Sequence, residues 1–129
     1  MKKILAVALL LITLPIHAIT LDELYKTYSP SGEIAFSAER GKQLWFKDHL
    51  DEEGKVRHCT RCHGKDLTRS GEHVKTQKII DPLAKSVNPE RFTELKKIEK
   101  WFKRNCKWTY GRECSAQEKG DLIKYLIQF

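Results

Sequence analysis

Helical spacing of apolar residues dominates the chain from residue 19 onward. Leu21 to Tyr28 predicts a short helix, followed by the turn Ser29-Pro30-Ser31-Gly32. Ser37 is a good N-cap for a second helix running to about His49, with Leu44, Trp45 and Leu50 on or near one stripe. Asp51-Glu52-Glu53-Gly54 makes a turn. Phe92, Leu95, Ile98, Trp101 and Phe102 recur at three- and four-residue intervals, which predicts a helix from Pro89 to Asn105, with Thr93 as a second capping position. Asn88 reads most simply as its N-cap, with proline at the first helical position, and Asn105 as the residue that ends it. Ser115 and Glu118 form a capping box for a last helix, whose Leu122, Ile123, Leu126 and Phe129 make one apolar stripe.

Between Gly64 and Asn88 the pattern fails. Leu67, Val74, Ile79, Ile80, Leu83, Ala84 and Val87 follow neither a helical nor a strand period, and Pro82 and Pro89 punctuate the stretch. A loop of this length is uncommon unless functional. It predicts a segment that packs against a cofactor instead of against its own secondary structure. No strands, repeats or low-complexity tracts are expected. The pattern as a whole implies an all-α protein, its helices wrapped around one flat ligand.

The first residues change the picture of compartment. Met1-Lys2-Lys3 is a basic start, Ile4 to Pro15 an uncharged apolar run, and His17-Ala18 a plausible cleavage point. This is the form of a secretory signal peptide over residues 1–18, too short for a spanning helix, although an uncleaved anchor is the competing reading. Residues 19–129 then form one domain, with 19–36 as an N-terminal arm. Loss of Lys2 and Lys3, with no acid, takes the formal charge from +7 to +5. The lysine-rich stretch 96–107 could steer an acidic redox partner, or simply be a solvated face. No nucleic-acid motif accompanies the charge, so no nucleic-acid role is read from it.

The chemistry lies in Cys59-Thr60-Arg61-Cys62-His63. C-x-x-C-H is the attachment site for a c-type haem: each thiol adds to one vinyl group, and the imidazole is held beneath the iron. Export fits this, because cytochromes c are assembled outside the bacterial cytoplasm; the expected compartment is a periplasm. Cys106 and Cys114 remain. A disulfide between them would stabilise by roughly 2–3 kcal/mol on a chain-entropy estimate; the other possibility is two reduced thiols, disfavoured in an oxidising compartment. Structural zinc on all four cysteines, with His58 or His63, is a rival, but C-x7-C is long for a zinc knuckle.

The ligand on the opposite face decides between electron carriage and gas binding. Met1 is the sole methionine and leaves with the signal segment, so a His/Met haem is excluded. His49, His58, His73, a lysine, Asn88, Asn105 or nothing remain. His58 is tied to the proximal side, and His49 suits a helix C-terminus. On chemistry alone, bis-imidazole ligation through His63 and His73 is the first expectation.

Further segments carry a resemblance: Ala38-Glu39-Arg40-Gly41, Cys59 to Gly64, Pro82-Leu83-Ala84 and Pro89-Glu90-Arg91-Phe92-Thr93. More specific are Ile98-Glu99-Lys100-Trp101, Arg104-Asn105-Cys106 and Gly111-Arg112-Glu113-Cys114, followed by Glu118-Lys119-Gly120-Asp121. With these the chain resembles the SHP (sphaeroides haem protein) type of oxygen-binding class I cytochrome c. The resemblance implies the class I fold, with terminal helices crossing where Gly41 allows close approach and Trp45 facing Leu122 or Tyr125. It implies Asn105 as the ligand of ferric iron, ahead of His73, and a Cys106–Cys114 disulfide. Pro82 matches the proline whose carbonyl takes a hydrogen bond from the proximal imidazole.

A neutral amide oxygen is a hard, weak donor that suits ferric better than ferrous iron. Reduction should therefore release Asn105 and open the site to dioxygen, carbon monoxide or nitric oxide. The partner implied is a multihaem or membrane cytochrome that reduces the site. A plain electron carrier is the alternative. A peroxidase or nitric-oxide oxygenase is not assignable, because no distal acid–base histidine can be placed.

Overall fold

A computed structural model describes residues 17–129. The signal segment therefore falls outside the described residues, apart from His17 and Ala18, which are exposed and irregular. The elements are α1 (Leu21–Tyr28), α2 (Ala38–Phe46), β1 (His49–Leu50), β2 (Val56–Arg57), α3 (Thr60–His63), β3 (Gly71–Glu72), β4 (Ile79–Ile80), α4 (Leu95–Tyr110) and α5 (Ala116–Leu126). Two-residue antiparallel pairs, β1 with β2 and β3 with β4, are the strand structure present. None was expected, because so short a strand leaves no period to read. No helix among the described residues is long and apolar enough to cross a membrane.

The frame is the crossing of α2 and α5. Ser37 caps α2, its hydroxyl accepting from the Arg40 amide. Ser115 and Glu118 close both halves of the capping box on α5. Gly41 is required at the crossing: a Cβ there would stand 2.0 Å from the Asp121 carbonyl oxygen and 2.8 Å from the Tyr125 Cβ. Trp45 packs on Tyr125, with ring centroids 6.4 Å apart. Asp121, almost wholly buried, locks the crossing. Its carboxylate accepts from the Ser37 amide at 2.6 Å, Arg40 Nε at 2.8 Å and Gln117 Nε2 at 2.9 Å. A buried charge satisfied this fully costs little to keep and much to strand.

Residues 19–36 are no loose arm. Thr20 and Glu23 form a capping box on α1. Leu24 and Tyr28 are buried with Ile98 and Ile123 in a second core cluster. The Tyr28 hydroxyl donates to Glu99 Oε1 at 2.5 Å, and Lys119 Nζ to Glu99 Oε2 at 2.6 Å, so α1 is tied to α4 and α5.

α4 differs from its sequence expectation at both ends. It starts at Leu95, not Pro89, after Glu94 at the N-cap, and continues through Asn105 to Tyr110. The stretch before it is taken up by loop contacts: Asn88 donates its side-chain amide to the Pro82 carbonyl at 3.1 Å instead of capping a helix. Phe92 adopts a left-handed φ of 62° that no helix start tolerates. The stop is Gly111 in the αL conformation, φ 70°. Asn105 is thus interior to the helix and is not its cap.

Candidate haem site

The motif forms its own one-turn helix. Cys59 sits at the N-cap of α3, with Cys62 and His63 inside it, and Gly64 at φ 70° ends it. Spacing of three puts both thiols on one side of the turn. Both are free and half-buried. Burial, the main cause, pushes the Cys59 thiol up to about 11, against a hydrogen bond with Tyr110 that acts the other way. Burial also pushes His63 down to about 4, with the charge of Arg91 adding to it. A neutral imidazole is the form that ligates a metal. Its ring lies 5.4 Å from that of Trp45, at a tilt of 40°.

One segment abuts this turn directly, and two others brace the structure around it. Gly71, at the start of the β3–β4 pair, abuts it so closely that a Cβ would meet the Cys62 carbonyl oxygen at 2.2 Å. On another side Tyr110 donates to the Leu44 carbonyl at 3.1 Å and packs on His49, with centroids 4.4 Å apart. Arg57 clamps the β1–β2 pair onto the end of α4: it bonds Asp51 at 2.7 Å, donates to the Trp108 carbonyl at 2.9 Å and lies over the Trp108 ring. Gly71 and Arg57 were not singled out by the sequence, which gives an isolated loop glycine or arginine no distinguishing pattern.

The remaining expected residues separate. Cys106 and Cys114 pair with each other, Cα atoms 5.6 Å apart, which withdraws them from any four-cysteine zinc site. Among the described residues no three of His, Cys, Asp and Glu gather as a metal-holding group. Asn105 is exposed on α4, on the face shared by Trp101 and Trp108, and directly precedes buried Cys106. His73 Nδ1 is within reach of the Lys75 and Thr76 amides at 3.3 and 3.2 Å, inside its own turn. His58 Nδ1 meets Thr60 Oγ1 at 2.6 Å. His49 is held down by burial, and its Nε2 has no partner. The Pro82 carbonyl takes its hydrogen bonds from Asn88 and Arg91, the latter at 2.9 Å; His63 is not among its donors.

A covalent haem fits this set. Two free thiols precede a neutral imidazole in the same turn, while the indole N–H groups of Trp45 and Trp108 are buried without a partner. Six of the eight exposed large apolar side chains, Leu50, Val56, Val74, Ile79, Val87 and Trp101, fall between residues 50 and 101 of the sequence. A porphyrin offers such side chains the apolar cover that the polypeptide does not.

Comparison with known proteins agrees. A family model described as a domain of unknown function (DUF1924) matches residues 31–126. The chain is 39% identical over 104 residues to the cytochrome c-type protein SHP of Cereibacter sphaeroides, covering 81% of this chain and 80% of that one. It is 36% identical over 87 residues to cytochrome c'' of Methylophilus methylotrophus, covering 67% of this chain and 60% of that one. In three dimensions it is similar to oxidized SHP, described as an oxygen binding cytochrome c, with TM-score 0.77 and 36% identity over 87% of this chain and 99% of that one. It is also similar to oxidized cytochrome c'', with TM-score 0.69 and 33% identity over 82% of this chain and 89% of that one. With the C-x-x-C-H turn, the all-α fold and these relatives in agreement, the chain belongs to the SHP-type cytochromes c, whose cofactor is covalently attached haem c.

Proposed function

We propose that this chain is an exported periplasmic monohaem cytochrome with a redox-gated site for a diatomic gas. His63 would hold the iron in both oxidation states, and Asn105 would hold it only in the ferric state. When bound, the haem would supply an iron that can change oxidation state and, in its ferrous form, take up a gas. Cys59 and Cys62 anchor the group through thioether bonds. His63, buried and neutral, presents a nitrogen donor without first shedding a proton.

Asn105 works from a rigid base. It lies within a sixteen-residue helix and precedes Cys106, which is joined to Cys114. Its release is therefore a side-chain movement, not a melting of the helix. The observation that carries the reading is the division among the cysteines: the pair beside the histidine is free, while the pair beside the asparagine is joined. The similarity to SHP, described as oxygen binding, supports a gas as ligand. The similarity to cytochrome c'', whose solution structure is described as bearing on haem-ligand detachment, supports a ligand that lets go. The lysines of α4 suit an acidic surface on the cytochrome that delivers the electron. The basic and apolar start of the sequence supports export and cleavage after Ala18.

Spectra of both oxidation states, with and without carbon monoxide, test the gate. Asn105→Ala should alter the ferric spectrum, His73→Ala should leave it unchanged, and the ferrous wild type should bind carbon monoxide. A reduced protein that stays six-coordinate and ignores carbon monoxide would rule out the gate. A ferric spectrum changed by His73→Ala but not by Asn105→Ala would establish the bis-histidine carrier instead.

A further inference from the structure

One aromatic side chain joins the helical frame to the C-x-x-C-H turn. Trp45 lies on α2, one helical turn after Gly41, where a Cβ would stand 2.8 Å from that of Tyr125. Its ring meets Tyr125 of α5 at a centroid distance of 6.4 Å and His63 of α3 at 5.4 Å. Both distances are those of interacting aromatic rings. Tyr125 is backed in turn by Phe46 at 6.5 Å and Phe129 at 5.3 Å. Trp45 is buried, and its indole N–H has no acceptor among the described residues. Packing, not hydrogen bonding to the polypeptide, therefore sets where the indole sits. Gly71 closes on the backbone of the same turn, where a Cβ would come within 2.9 Å of the His63 Cα. Asn105, by contrast, stands exposed on α4.

We propose that Trp45 is a positioning residue for His63: its indole, packed on both Tyr125 and the imidazole, carries the rigidity of the α2–α5 crossing to the proximal donor. This rests on His63 holding the iron and on the redox gate, as proposed above. A donor side chain keeps its aim when packing locks its rotamer. The imidazole turns about two bonds, and an indole packed against it leaves few rotamers open. The two axial donors thus differ in freedom. The one in the braced turn keeps its place, and the one exposed on α4 is free to leave. Trp45 thereby directs the loss of a donor on reduction to Asn105.

The test is resonance Raman measurement of the iron–histidine stretch in the reduced, haem-loaded protein, with denaturant unfolding of the same samples. Trp45→Leu keeps apolar bulk at the crossing but takes the ring away from His63. Its band should shift and broaden, as the imidazole samples several tilts. Trp45→Phe keeps a smaller ring and should show the same change to a lesser degree. Leu24→Ala is the control, because it opens the separate cluster that holds Leu24, Tyr28, Ile98 and Ile123. It should lose stability and keep the wild-type band. A purely structural role for Trp45 would instead disturb the band in step with lost stability, whichever cluster is cut. A wild-type band in Trp45→Leu would overturn the proposal, as would an equal change in Leu24→Ala at equal loss of stability. If Trp45→Leu does not accumulate with haem, a wild-type band in Trp45→Phe would do the same. A band missing from the wild type itself marks failure of the ligation or the gate, a separate result that takes this inference with it.

Discussion

Helix α5 and the segment 47–94 are stabilised on opposite terms. In α5 one face after another is covered: Gly120, Asp121, Leu122, Ile123, Tyr125 and Leu126 are all buried. Across residues 47–94 only Leu67 and Ala84 are buried, joined where the Leu67 carbonyl accepts the amides of Leu83 and Ala84 at 3.1 and 3.0 Å. Ordering a residue costs about 1–2 kcal/mol in backbone entropy, and two buried side chains return only about 1.5–3 kcal/mol each. The segment cannot be held by its own core. The cover it lacks is what an attached haem would supply, whereas the α2–α5 crossing is held by protein against protein.

The strongest way to break that contrast is to remove the attachment. Cys59→Ala with Cys62→Ala should leave no haem in protein extracted with acidified acetone, read by pyridine haemochrome assay. Amide exchange should then divide the molecule: residues 64–94 should open at nearly no free-energy cost, as mobile loops do, while α2 and α5 keep the slowest amides. Equal loss of protection in both regions would show that the frame also depends on the cofactor.

Gly41→Ala attacks the other side of the comparison. The new methyl would stand 2.0 Å from the Asp121 carbonyl oxygen, so helix backbones must part. Asp121 is bonded across the same crossing, and its contacts with Ser37 and Arg40 would stretch with it. The expected cost is about 3 kcal/mol, at the upper end for overpacking, seen in denaturant unfolding of the haem-loaded protein. The visible spectrum should change far less than the stability, because Cys59, Cys62 and His63 lie on another element, although Trp45 of α2 packs on the His63 ring.

The same contrast explains what could be read from the sequence. The frame is written in local code: caps at Ser37 and Ser115, an apolar stripe on α5, and a glycine where two helices touch. The C-x-x-C-H turn is equally legible, since five consecutive residues spell it out. The rest of the site depends on contacts distant in sequence. Nothing local shows that Arg91 reaches back to Asp81 and Pro82, or that Gly71 lies against the Cys62 carbonyl. Asn105 was expected at a helix end because of what asparagine usually does there. Gly111 was the better stop signal, and apolar Trp108 and Tyr110 continue the helix to it.

The smallest effect concerns the acid limb of the frame's stability. Arg112 donates to both oxygens of Glu118, at 2.8 and 2.7 Å, and the Ser115 amide adds a bond at 2.8 Å. The Arg112 hydrogen bond, the largest cause, holds the Glu118 carboxyl down at about 2, from an ordinary value of 4.5. A depressed carboxylate contributes stability that is complete above its unfolded value and disappears as pH falls from about 4.5 towards about 2. The Arg112 side chain is 57% exposed, so solvent screens the pair and the contribution is no more than about 1 kcal/mol. Glu118→Gln isolates the charge, because glutamine still serves the capping box. The variant should be slightly less stable than wild type at neutral pH, and the two unfolding curves should converge as pH drops to about 2. Curves that stay parallel throughout that range would assign the Glu118 contribution to capping alone.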